Sequence, residues 1–265
     1  MIKNLSLGLI VLLVLVSGCQ YFGGEQNTSG NTTSAKNDSV KVEKRYFDND
    51  PNSSIEWKIS QRLMPNGKYV RHGMSVRFTK SGKVEETINY ANDLKEGERI
   101  KFHTNGKKYK VQNYVANKLE GDCKRLGRDG HVEAEYTYKA GLLGTGLVRY
   151  TNLGKVRPEP KLVIHQTNKI KEKGMYILSV SLVGDDALKD IRKVEFFDGD
   201  LAEGKYFHKN LKLIRSTGAH QGVINIVVEK GYIYEKTHNI VAKATTKDGL
   251  SYIIQKKVSV AVRGI

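Results

Sequence analysis

Along most of the chain, apolar side chains recur at every second position, the mark of strands that bury one face. Ile55, Trp57 and Ile59 alternate with polar residues, and residues 69–78 read as strand, turn and strand. Residues 84–90 form another strand after a turn at 79–83. Strands over 99–103 and 108–115 flank Asn105-Gly106, and Asn-Gly between alternating segments is a strong hairpin cue. Residues 131–138 place Val132, Ala134, Tyr136 and Tyr138 on one face, and 147–150 add a short strand. Further on, strands are predicted from Leu162-Val-Ile and over 175–183, 191–197, 223–228, 240–246 and 252–262. Turns are expected at Asp198-Gly199 and Lys247-Asp248-Gly249, and an acidic loop at 185–190. No stretch sustains a 3.6-residue apolar spacing over three turns. The pattern therefore predicts an all-β body.

Pro158 and Pro160 restrict the backbone before them and predict a boundary within 152–160. It divides a β-rich domain of unassigned type over 42–157 from a second over 158–265. In the second, Val194 and Phe196 are expected on one side. Val241 and Thr245 are placed near their rows, with Ala242 and Ala244 opposite.

The first forty residues break this pattern. Lys3 supplies a basic tip, residues 5–16 are nearly all apolar, and Ser17, Gly18 and Cys19 follow. That layout predicts a secretory signal over 1–18. A dozen apolar residues fall short of the roughly 20 needed to span a bilayer as a helix. Val16-Ser17-Gly18-Cys19 resembles the prokaryotic lipoprotein processing motif. The resemblance implies cleavage before Cys19, lipid on its sulfur, and a protein held by that lipid at the extracytoplasmic face of the cell membrane. Two or more hydrocarbon chains would anchor it stably. An incidental thiol past an ordinary signal peptide is the plainer alternative. Residues 19–41 then read as lipidated cysteine plus flexible linker, rich in Gly, Asn, Ser and Thr. Asn27, Asn31 and Asn37 head N-x-S/T triplets, and Asn52 heads a fourth just inside the body. They are acceptors for N-glycosylation in a host that exports such a system, and ordinary spacer residues otherwise.

Charge sharpens the expectation about partners. The chain carries a net +16. The excess is spread: +9 over 42–157 and +6 over 158–265. That favours anionic headgroups, acidic envelope polymers or acidic glycans. Nucleic acid is disfavoured, because no recognition helix, paired Cys/His finger or aromatic RNA-binding signature accompanies the charge. Within 42–265 stands a single cysteine, Cys123, so no disulfide staples the fold within that span. A buried thiol is its expected state.

A search for chemistry returns little. His72, His103, His131, His165, His208, His220 and His238 are never closer than twelve residues and show no metal-ligand spacing. Asp185, Asp186, Asp190, Asp198 and Asp200 are dense but miss the calcium-loop pattern. Gly141-Leu-Leu-Gly-Thr-Gly lacks the Lys-Ser/Thr of a phosphate loop and suits turns or a bulge. No nucleophile elbow occurs. No catalytic residue, metal or cofactor is assigned. Tyrosine is abundant, 14 against 7 phenylalanines, and two pairs stand at strand spacing: Tyr136 with Tyr138 and Tyr232 with Tyr234. These four are candidates for stacking on sugars or anchoring a partner, although tyrosine also suits half-buried strands for packing alone.

Residues 160–265 resemble a bacterial-type immunoglobulin-like module of surface proteins. The likeness rests on Met175-Tyr-Ile-Leu-Ser-Val-Ser-Leu-Val-Gly-Asp, on Asp190-Ile-Arg-Lys-Val-Glu-Phe-Phe-Asp-Gly and on His238-Asn-Ile-Val-Ala-Lys-Ala-Thr-Thr-Lys-Asp-Gly. Lys257-Val-Ser-Val-Ala-Val matches its last strand, while Thr246 stands where an Asp is common and 200–222 is less regular. The resemblance implies a two-sheet sandwich. Together these features predict a non-enzymatic surface lipoprotein that binds an envelope component, a glycan or a protein partner. Two alternatives stay open: an extracytoplasmic enzyme or solute receptor with its site in 42–157, and a structural scaffold of the envelope.

Overall fold

The computed structural model describes residues 40–265 and is all-β. The first twelve strands belong to one antiparallel sheet. They are β1 (Val40–Tyr46), β2 (Ile55–Leu63), β3 (Tyr69–Arg71), β4 (Gly73–Phe78), β5 (Val84–Ala91), β6 (Leu94–Phe102), β7 (Lys108–Val115), β8 (Lys118–Leu119), β9 (Gly121–Leu126), β10 (Val132–Lys139), β11 (Leu142–Leu143) and β12 (Val148–Arg149). Its spine runs β1-β2-β4-β5-β6-β7-β9-β10, nearly in chain order, so it is a meander of hairpins.

The meander repeats. Gly73 and Gly121 open β4 and β9 and Gly97 holds the matching place inside β6, so the three recur at 24-residue intervals, each with φ between +72° and +82°. Gly82, Gly106, Gly130 and Gly154 close the opposite turns at the same interval, also with positive φ. Each of these turns is tied by the same pair of bonds: Thr79, His103, Gly127 and Thr151 each accept from the glycine and donate to the residue after it. Asn92-Asp93, Ala116-Asn117 and Ala140-Gly141 form the left-handed pairs of the hairpins between repeats. The alternation predicted β2, β4, β5, β7 and β10. It missed β9, whose Gly-Asp-Cys-Lys-Arg-Leu is polar, and placed β6 five residues late, because Lys95, Glu96 and Glu98 hide a strand whose two faces both stay wet. It also missed β1, which begins at Val40, inside the stretch read as linker.

The remaining strands are β13 (Lys161–Lys169), β14 (Met175–Val183), β15 (Ile191–Asp198), β16 (Lys212–Leu213), β17 (Arg215–Gly218), β18 (Gln221–Val227), β19 (Ile233–Thr246) and β20 (Ser251–Arg263). Two short helical turns interrupt them: α1 (Ile170–Lys173), and α2 (Asp185–Leu188) where a loop was expected. They pair into two four-stranded sheets, β13-β14-β18-β17 and β16-β15-β19-β20. Between these lie Leu162, Val180, Leu182, Phe196, Ile240, Ala242 and Ala244, all buried. One expectation is corrected. Register sets Ala242 against Phe196 and Ala244 against Val194, so the alanines share the inner face with the aromatic instead of opposing it. Val241 points outward into a satellite core with Leu201, Leu211 and Ile253. Small side chains opposite a large one fill the interlayer space without overpacking.

The main core does not stop at the sandwich. Cys123, Ala134, Tyr136 and Leu147 of the meander bury into the same cluster as Leu162, Phe196 and Tyr252. Ile59, Ile88 and Tyr114 are buried yet belong to none of the three clusters. There the meander shields its own side chains.

Candidate functional site

One face of the meander gathers most of the chemistry. Strand register sets Arg45 opposite Trp57, Trp57 opposite Arg77, Arg77 opposite Glu86 and Glu86 opposite Lys101. The row continues through Lys110, Arg125 and Ala134 to Arg149. Six of its nine positions are cationic. At about 4.8 Å per strand it extends roughly 38 Å. Arg77, Lys101, Arg125 and Arg149 hold the same place in successive repeats, so that column recurs every two strands, roughly every 10 Å. Four residues along the same strands from Glu86, Lys110 and Ala134 stand Tyr90, Tyr114 and Tyr138, again 24 residues apart; Tyr114 is buried and Tyr138 packs against the core. Arg71 stacks on Tyr90 at 4.5 Å and its repeat equivalent Lys95 lies 5.3 Å from the Tyr114 ring centre.

Near the β1 end this face hollows into a cleft of ≈220 Å³. Trp57 and Tyr90 form apolar walls, Arg45 and Arg71 supply charge, and the Ser75 hydroxyl, buried, has no hydrogen-bond partner. An unpaired buried hydroxyl beside aromatic rings and guanidinium groups suits a ligand that is both hydroxylated and anionic. In the middle of the row, Arg99 is held by two hydrogen bonds to Glu86, at 2.7 and 3.1 Å, and donates to the Tyr114 hydroxyl at 3.3 Å.

At the far end the row enters a cleft of ≈340 Å³ between Arg125, Arg149, Arg157 and Asp248. Here charge is matched. Asp248 accepts from Thr246, from Arg125 and, at 2.9 Å, from Arg149. Asp190 accepts from Arg149 and Arg157 at 3.3 and 3.2 Å. Glu133 lies 3.1 Å from Arg125 Nε but off the N–H direction, an ion pair without a hydrogen bond. Burial alone would raise the Asp248 carboxyl; the Thr246 and Arg125 hydrogen bonds and the two arginine charges override it and hold it at about 2. This cluster ties the meander to the β19–β20 turn and is a clasp more than a binding site.

The tyrosines read from sequence separate into different settings. Tyr136 is buried and T-stacks on Tyr138 at 6.0 Å, both with hydroxyls pushed up by burial. Their shared face points into the core. Tyr232 is exposed and stands just ahead of β19, so it does not share a strand face with Tyr234. The Tyr234 hydroxyl lies 2.9 Å from His238 Nε2, and His238 Nδ1 lies 2.8 Å from Asp198. Both nitrogens of this buried imidazole are thus engaged. Cys123 is fully buried and burial pushes its thiol up to about 11, an unreactive state. The acidic loops disperse: Asp186 pairs with Lys189, Asp190 with the clasp, and Asp200 with Asn239. Among the described residues no three His, Cys, Asp or Glu side chains converge as metal ligands. Asn52 is exposed in a turn, its Nδ2 donating to Asp50 at 3.1 Å. Cys19, Asn27, Asn31 and Asn37 lie outside the described residues. No helix among the described residues is long and apolar enough to cross a membrane.

Sequence reasoning missed the cationic row. Its signal was present as Arg or Lys at 77, 101, 125 and 149, and emerges once the glycine turns are aligned. No protein-family model, curated protein or solved structure matches this chain.

Proposed function

We propose that this protein is a non-enzymatic, lipid-anchored surface protein whose meander face binds an acidic glycan or similar polymer of the cell envelope. The observation that carries this reading is the cross-strand row of cations, of which Arg45, Arg77, Lys101 and Lys110 lie outside the clasp, on the same face as Trp57 and Tyr90. A polymer with evenly spaced charges meets such a face at several points, and linked contacts raise affinity without any one being strong. Aromatic rings stack on sugar faces, and guanidinium and ammonium groups meet carboxylate or phosphate. The sandwich serves as the spacer of this reading. Its strand orders, β13-β14-β18-β17 and β16-β15-β19-β20, correspond to the A-B-E-D and C′-C-F-G arrangement of immunoglobulin-like domains and support that assignment.

Trp57 is the only tryptophan and lines the ≈220 Å³ cleft, so it reports on binding directly. Titration of the full chain with oligogalacturonate at low salt is expected to change Trp57 fluorescence saturably. The affinity should weaken between about 0.01 and 0.15 M salt, as the screening length contracts from roughly 30 to 8 Å. A flat titration at low salt with this probe and with an inorganic polyphosphate would end the reading. For the anchor, Cys19→Ser expressed in a bacterial host should leave the membrane fraction, and retention would point to a different attachment.

A further inference from the structure

We propose that Lys101 and Lys110 form the seat for one anionic group, a phosphate or a carboxylate, of the bound polymer. This rests on the reading of the meander face as a polymer-binding surface and names its central subsite. Lys101 and Lys110 are directly opposite across β6 and β7. Like charges in that relation destabilise a sheet, so the pair needs a counter-charge. Neither lysine forms an ion pair among the described residues. The arginines of the same face do. Arg77 has Glu56 and Glu85, Arg99 has Glu86, and Arg125 has Glu133 and Asp248.

The repeat shows where the acid is missing. Glu85 lies 3.5 Å from Arg77, and Glu133, its equivalent two repeats on, lies 3.1 Å from Arg125. The position between them, which would face Lys101, is Tyr109. The chain thus supplies its own carboxylate in the first and third repeats and leaves it out in the second. Both lysines are half-buried, which magnifies their repulsion over what open solvent would allow. Burial, then the charges of Arg125, Lys101 and Arg99, hold the Lys110 ammonium below its ordinary range. An anion between the two ammonium groups relieves that repulsion and takes the place of the missing carboxylate.

The test uses the purified full chain, with oligogalacturonate as the carboxylate probe and a short inorganic polyphosphate as the phosphate probe. Lys101→Gln and Lys110→Gln should melt no lower than wild type without probe, and should lose about tenfold in affinity for the preferred probe. Lys257→Gln, an exposed change of equal charge on the sandwich, should lose less than about twofold. Tyr109→Glu restores the internal acid; it should raise the melting temperature and weaken binding as the lysine variants do. The arm with the tighter binding identifies phosphate or carboxylate. If both lysine variants and Tyr109→Glu bind as wild type does, the subsite is wrong while the meander face can still bind elsewhere. If wild type binds neither probe, the reading of the face itself fails.

Discussion

Asp248 shows how a single residue can hold two parts of a structure together. Its carboxylate bridges Arg125 and Arg149, whose side chains are only 8% and 9% exposed. Removing it leaves two buried guanidinium groups short of a partner. Asp248→Asn should destabilise the protein by about 2–3 kcal/mol, below the full buried-pair range because the carboxylate itself is about a third exposed. Its folded-state pKa of about 2 lies below the unfolded value near 3.9. The contribution is therefore complete above about pH 4 and is lost as pH falls toward 2. Chemical denaturation across that window should show a shallower loss of stability in the variant than in wild type. Equal slopes would mean that other carboxylates carry the acid sensitivity. Asp248 was legible only as part of a turn; nothing local announced arginines that lie about a hundred residues earlier in the chain.

At the scale of elements, the hairpins depend on left-handed backbone at fixed places. Gly97 sits inside β6 at φ +82°, and a Cβ there would meet nothing closer than Asn89 at 3.9 Å. The cost of Gly97→Ala is thus conformational, not steric: about 1 kcal/mol net, after the stiffer unfolded chain offsets part of the strain. Gly97→Asn, which tolerates this region better, should lose about half as much in thermal melts. An alanine variant as stable as wild type would show that the strand relaxes out of the left-handed region there. The strands around these turns were partly legible. Alternation marked β7 and β10, where one face carries Val111 or Ala134 and the other stays polar. It failed for β9, since Cys123 and Arg125 do not look like a buried row until the sandwich is packed onto them.

The whole molecule joins a quasi-one-dimensional sheet to a two-layer sandwich through one shared core. In such a sheet each repeat contacts chiefly its neighbours, so repeats are separable units. Deleting residues 97–120 places Gly121 where Gly97 stood and preserves which side chains face which way. The shortened chain should fold with strand-rich circular dichroism and a cooperative melt. It should also bind acidic polymer more weakly, having lost Lys101 and Lys110. Deleting one residue fewer reverses the facing of the strands before the cut, and that variant should aggregate or melt without cooperativity. Equal behaviour of the two deletions would show that register is not enforced through the sheet.

Period-two alternation, the turn residues and the net charge are properties of the chain itself. They were enough for an all-β body and for an expectation of anionic partners, because strand pleat and glycine conformation are set within a few residues. The 24-residue interval between glycine turns was also written there, although the bulged, polar strands between the turns obscured it. Which side chains form one row across nine strands was decided only by tertiary structure. Register sums many long-range pairings, and a slip by one residue sends every side chain to the other face. For the same reason Tyr136, a candidate for partner contact in the sequence, became core: the sandwich that covers it is built from residues at least 26 positions further along the chain.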